Sequence, residues 1–226
     1  MILVLETSGS YPSVGIVDTL GRECFFKQHT EVQSHAEQLG VMVQEAMGFL
    51  ADKKYSLQAV AINDGPGSYT GLRIGSSLAK GLCFSMNIPM IAVSGMLGMG
   101  GWMLHENDNF AGVWVMLDAR RDEVYGLHVV RDSASNELPR AMILPQDLTI
   151  TIDKSTGFVC DCADKVGRLL NLPSDSWPLQ AHISVRHLYS MIIQDFNEKK
   201  FCNLAYYEPF YLKEFQAGVS KKFSLI

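Results

Sequence analysis

Between Asn63 and Gly81 the chain reads NDGPGSYTGLRIGSSLAKG, with glycines at 65, 67, 71, 75 and 81 around a strand-to-helix junction. Junctions of this kind hold phosphates, because side chains are out of the way and a helix N-terminus offers unpaired N–H groups. The spacing fits neither phosphate pattern it suggests. A Walker loop needs G-x-x-x-x-G-K-[ST], and no glycine pair here is followed by lysine in that relation. A dinucleotide fingerprint needs G-x-G-x-x-G, whereas Gly65 and Gly67 are followed by Gly71, one residue late. No Asp or Glu stands between Asp64 and Glu106, so the carboxylate that would bind a ribose hydroxyl is missing as well. The remaining use of such glycines is contact. Gly71, Gly75 and Ala79, continued by Leu82, recur at helical spacing and form a small-residue strip, while Leu72, Ile74 and Leu78 project elsewhere and hold the helix to its own sheet. Two glycines inside a helix cost about 1 kcal/mol each relative to alanine, so a close approach must offset them. From the residues alone the strip packs either on its own chain or on a partner.

Other reactive side chains are scattered. His35 lacks a second histidine one turn on, where Leu39 stands, and histidines 29, 105, 128, 182 and 187 show no H-E-x-x-H spacing. Five cysteines, at 24, 83, 160, 162 and 202, are an odd number without a repeated interval, and the single C-x-C has no second ligand pair for zinc. No metal site is expected.

The elements that must position these residues read clearly in the first half. ILVLETS, SVGIVD and ECFFKQHT predict three consecutive antiparallel strands. SHAEQLGVMVQEAMGFL carries apolar residues at helical spacing behind a Ser34–Glu37 capping box. LQAVAIND predicts a strand, a helix starts near Thr70, and IPMIAVSG predicts another strand. A Gly- and Met-rich passage, SGMLGMGGWMLHENDN, reads as a separator. A second hairpin follows, GVWVMLDA and EVYGLHVVRD around a turn at 120–122, then helices in CADKVGRLLN and ISVRHLYSMIIQDFNEK. Tyr206, Tyr207, Phe210 and Tyr211 are expected to anchor the tail in the core. The result is an α/β chain with mixed sheets and flanking helices, divided into lobes 1–103 and 104–226, with the last segment packing back on the first. With 226 residues, 47% of them hydrophobic, and a net charge of −5, the chain can bury a core and has no field that attracts nucleic acid unaided. MILVLETS shows no leader and no apolar run of membrane length occurs, which predicts a soluble cytoplasmic protein.

GPGSYTGLRIG, together with ILVLETS, LDARRDEVY and YEPFYLKEF, resembles the bacterial TsaB (YeaZ) family, in order and over almost the whole chain. The resemblance implies a two-lobed actin/sugar-kinase-like fold with ribonuclease-H-like lobes. It implies an accessory, non-catalytic subunit in the formation of threonylcarbamoyladenosine at position 37 of tRNA. The partners it implies are the catalytic paralogue TsaD and the ATPase TsaE, with a homodimer when alone and tRNA reached only through the complex. The chain would have no cofactor of its own, ATP/ADP and metal belonging to the partner subunits. By this resemblance Gly71, Gly75, Ala79 and Leu82 face a partner, with Arg73 and Lys80 at the rim and His35 as a surface or interface group. Gly75→Leu would then block association and leave the monomer folded.

In ATP-binding members of the superfamily the first hairpin supplies an aspartate for metal and hydroxyls for phosphate. Here Glu6, Thr7 and Ser8 stand in that place, and glutamate departs from the family's usual aspartate. With Asp118 and Arg120 they would line a vestigial nucleotide cleft, although Thr7 and Ser8 equally cap a turn, and Arg120 with Asp122 equally forms an exposed turn pair. The rival readings are an independent actin/sugar-kinase-like ATPase and, more remotely, a metalloprotease.

Overall fold

Continuous apolar runs make central strands, and two such runs organise the molecule. A computed structural model describes residues 1–30, 35–131, 137–148, 154–174 and 177–212. In the first sheet β1 (Ile2–Glu6) lies in the centre, every residue buried, with the antiparallel β2 (Ser13–Val17) and then β3 (Glu23–Gln28) on one side. On its other side run β4 (Ala59–Asn63) and β5 (Met90–Val93), both parallel to it. Helix α1 (His35–Lys53) and helix α2 (Tyr69–Met86) pack on one face of this sheet around Leu3, Leu5, Val60 and Ile62. Residues Ser34 and the side chains of His35 and Glu37 fall outside the described set, so the expected capping box and the His35 assignment do too.

The second sheet repeats the order. β6 (Gly112–Asp118) is central, β7 (Glu123–Val130) and β8 (Arg140–Ile143) are antiparallel neighbours on one side, and β9 (Thr156–Cys160) and β10 (Leu179–Gln180) are parallel on the other. Third, second, first, fourth, fifth is thus the spatial order of strands in both sheets, with α4 (Ala163–Leu169) between β9 and β10.

The Gly- and Met-rich passage is not a separator. It forms α3 (Gly95–Glu106), capped by Ser94, whose Oγ accepts the Leu97 N–H at 3.3 Å. Met96, Met99 and Met103 are buried in a core shared by both sheets. A Cβ at Gly98 would collide with the His187 carbonyl, and one at Gly100 with Val129. A helix covered on opposite faces has no polar stripe, so its period is invisible in the sequence. The 103/104 division falls inside this helix.

ISVRHLYSMIIQDFNEK also splits. Val185–His187 is a 3₁₀ turn, and α5 (Tyr189–Asn197) follows. Both lie against the first sheet: Val185 N–H donates to Ser13 Oγ at 3.1 Å, and Arg186 makes two bonds to the Glu23 carboxylate at 2.7 and 2.8 Å. The chain then runs beside α2 as a strap. Cys202 N–H donates to the Met90 carbonyl, Lys80 Nζ to the Tyr207 carbonyl at 2.8 Å, Tyr207 Oη to Asp64 Oδ1 at 2.7 Å, and Phe210 N–H to the Asp64 carbonyl. Tyr206 does not anchor this strap, for it is 84% exposed. None of the described helices is long and apolar enough to cross a membrane.

Candidate functional site: the interlobe cleft and the α2 faces

Helix α2 starts where β4 ends. Ser68 caps it by accepting the Gly71 N–H at 3.2 Å, and the Ser68 N–H donates to the Ser8 carbonyl at 2.7 Å, which ties the helix start to the turn after β1. That turn needs room. A Cβ at Gly71 would overlap the Thr7 carbonyl oxygen, and one at Gly75 would overlap the Thr7 hydroxyl, while Ala79 is fully buried. The expectation that Gly71, Gly75 and Ala79 face a partner is therefore corrected. Their strip is pressed against the chain's own β1–β2 turn and sheet, and this close backbone approach offsets the helix cost of the glycines. Lys80 is likewise held inward on the strap by Tyr207, and Leu82 is half-buried against the same core. Arg73 is exposed, its guanidinium lying 4.3 Å over the Tyr69 ring.

The outward face of α2 is a different set of residues. Thr70, Arg73, Ser77, Gly81 and Phe84 follow one another at three- and four-residue intervals and are all exposed. Phe84 is 83% exposed, and a Cβ at Gly81 would meet open space.

Between the lobes lies a cleft of about 880 Å³. Ser8 to Ser10 and the first turn of α2 form one wall, Asp118 to Arg121 and Asp161 the other, and His182 touches Tyr11 edge-on at 4.5 Å from across the lobes. Tyr211 closes the rim against Tyr69 at 4.9 Å. Of the sequence candidates, Ser8, Asp118 and Arg120 line the cleft, whereas Glu6 and Thr7 do not. Asp118 is engaged by its own lobe: Lys165 Nζ donates to Oδ1 at 2.7 Å, and the Arg120 N–H donates to the same oxygen at 3.2 Å. Among the described residues no ion pair joins Arg120 to Asp122. Asp161, absent from the sequence candidates, accepts the Asp118 N–H at 2.7 Å, and burial pushes its carboxyl above the ordinary value.

Glu6 sits behind this wall. Its Oε1 accepts from the Ser8 N–H at 2.7 Å, the Ser8 hydroxyl at 2.6 Å and the Gly9 N–H at 3.3 Å. Asn63 Nδ2 donates to Ser8 Oγ at 2.8 Å, and Asn63 Oδ1 accepts from the N–H groups of Gly65 and Gly95. Complete burial raises the Glu6 carboxyl above the ordinary glutamate value, against the lowering effect of these bonds. Asn63 was legible only as a polar residue ending an apolar strand. Tyr11, His182 and Tyr69 carried no signal, since their meeting depends on the lobes coming together. Among the described residues no cluster of three His, Cys, Asp or Glu side chains could hold a metal.

A repeated five-stranded lobe around a cleft defines the actin/sugar-kinase-like class. Within it, residues 29–204 match the family model described as TsaD, tRNA N6-adenosine threonylcarbamoyltransferase. The chain is 30% identical over 138 residues to the tRNA threonylcarbamoyladenosine biosynthesis protein TsaB of Haemophilus influenzae, covering 60% of this chain and 56% of that one. It is 34% identical over 135 residues to TsaB of Escherichia coli, covering 58% and 55%. The chain spans about half the length of the curated relatives it matches. YeaZ from Pseudomonas aeruginosa superposes with a TM-score of 0.72 at 24% identity, covering 93% of this chain and 99% of that one, which shows the same fold. The chain belongs to the TsaB (YeaZ) family, carrying a TsaD-type domain.

Proposed function

We propose that this chain is a non-catalytic partner of TsaD in forming N6-threonylcarbamoyladenosine at position 37 of tRNAs that read codons beginning with A. It acts by docking on TsaD and favouring its active conformation, with TsaE joining the pair and tRNA reached through the assembly. ATP or ADP and metal belong to the partner subunits, and alone the chain pairs with itself.

The observation that carries this reading is the two-faced helix α2. Its inner face is locked on Thr7, and its outer face presents an unsupported phenylalanine beside small residues and one arginine. A ring left 83% in water on a regular helix contributes nothing to the monomer's core, and buried aromatics with arginine are what protein interfaces enrich. The names of the relatives supply the pathway. Reconstitution tests it: TsaD, TsaE, threonylcarbamoyl-adenylate and tRNA should give modified adenosine with this chain present and little without it. Equal modification in its absence overturns the reading.

A further inference from the structure

Past α5 the chain is seated on the first lobe as a strap that is firmly anchored as far as Phe210. Pro209 is buried, the Phe210 N–H donates to the Asp64 carbonyl at 2.9 Å, and a Cβ at Gly65 would meet the Phe210 carbonyl oxygen. Beyond that anchor the means of attachment changes. Tyr211 and Leu212 both line the mouth of the interlobe cleft, and among the described residues neither makes a hydrogen bond. Tyr211 rests instead on a ring: Tyr69, the first residue of α2, lies against it with centroids 4.9 Å apart and planes tilted by 44°. Tyr69 in turn carries the Arg73 guanidinium 4.3 Å over its ring. Arg73 is exposed on the outward side of α2 and, among the described residues, forms no ion pair.

We propose that Tyr211 and Leu212 are a lid at the mouth of the cleft, that Tyr69 is the catch on which it closes, and that Arg73 is the positioning residue that keeps the catch in place. The strap up to Phe210 is hydrogen-bonded to the first lobe, whereas the lid is held by an aromatic contact, so the lid opens at lower cost than the strap detaches. The hinge is the junction of Phe210 and Tyr211. Tyr69 suits a catch because it belongs to two surfaces: its ring lines the cleft, and one turn further along its helix Arg73 reaches the outward face. A guanidinium is held more strongly by a carboxylate, through two parallel hydrogen bonds, than by an exposed ring. A partner's carboxylate that takes Arg73 therefore loosens the catch and opens the cleft. This last step rests on the reading that the outward face of α2 docks a partner; the lid itself does not.

The test is the alkylation rate of a thiol placed in the cleft by Ser10→Cys, with N-ethylmaleimide as probe and peptide mass spectrometry to separate it from the native cysteines. Ser10 is exposed and lines the cleft. In the full chain, Tyr211→Ala and Tyr69→Ala should each speed labelling by roughly 3- to 10-fold, the shift in population that one aromatic pair supports, and the double variant should be no faster than either. Arg73→Ala should speed it by roughly 2- to 5-fold. Tyr69→Phe, which keeps the ring, should label at the parent rate. An unchanged rate in Tyr211→Ala overturns the lid, and a Tyr69→Phe as fast as Tyr69→Ala overturns the ring contact as its catch. An unchanged rate in Arg73→Ala overturns the positioning role. Should Tyr69→Ala fail to fold, Tyr211→Ala decides the lid. Saturating TsaD should speed labelling of the parent protein to the rate of Arg73→Ala. A complex seen by sedimentation with an unchanged or slower rate overturns the partner step, whereas no complex overturns the docking reading and that step with it, and the variants still decide the lid.

Discussion

Glu6 carries a carboxyl group into the interior, surrounded by Ser8, Gly9 and Asn63 and with no charged partner among the described residues. Burial raises its pKa in the folded chain, so the folded state holds this proton more tightly than the unfolded one. Its contribution is complete below the ordinary glutamate value and is lost as pH rises through the raised one. Glu6→Gln should therefore gain stability over the wild type as pH climbs above that ordinary value, with a slope difference of up to about one proton. Burial also lowers His187 to about 4, which gives the opposite slope over the acidic range, and comparing the two proteins cancels it. Urea unfolding at a series of pH values reads the difference; parallel curves would contradict it. Tyr207 makes the second residue-scale case. Its hydroxyl donates to Asp64 at 2.7 Å and secures the strap, so Tyr207→Phe should cost about 1 kcal/mol and raise hydrogen exchange in residues 202–212. Unchanged exchange there would show that the remaining backbone bonds suffice.

At the scale of elements, α2 decides how much the sequence could say. The spacing of Gly71, Gly75 and Ala79 marked a bare strip correctly, but what it abuts is Thr7, far away in the chain, and spacing carries no address for such a neighbour. Gly75→Leu should consequently unfold or destabilise the monomer by about 1–3 kcal/mol or more through overpacking against Thr7, measured by thermal and chemical denaturation. A Gly75→Leu protein with wild-type stability would return the strip to the surface. The five strands of the first sheet and the β6–β7 hairpin were legible because central and half-covered strands leave continuous or alternating apolar runs, whereas β8, β9 and β10, of four, five and two residues, were not read from the sequence. Helix α3 was not, since two sheets cover it. The split before α5 was hidden because the 3₁₀ turn Val185–His187, where the Ser184 N–H donates to His187 Nδ1 at 3.2 Å, runs directly into the helical residues from Tyr189 without a breaking residue between them. Tyr206 and Tyr207 look alike in sequence, yet among the described residues it is the Tyr207 hydroxyl that bonds Asp64 and is brought in, while the Tyr206 ring stays exposed.

Across the whole molecule, two lobes of the same strand order share one core through α3, and the cleft between them is walled by groups already bonded to their own lobes: Glu6 on Ser8, Lys165 on Asp118, Asp161 on the Asp118 amide. The motifs pointed to this cleft only through Ser8, Asp118 and Arg120, because the second wall is assembled by folding. An internally bonded cleft and the exposed Phe84 on α2 support the proposal that the chain works by being held against another. Phe84→Asp places a charge on that face at little cost to the fold, within about 0.5 kcal/mol. The most direct measurement is a sedimentation titration of TsaD with the wild type and with Phe84→Asp. The wild type should form a one-to-one complex and the variant, equally stable, should bind at least tenfold more weakly; equal affinities would contradict the account.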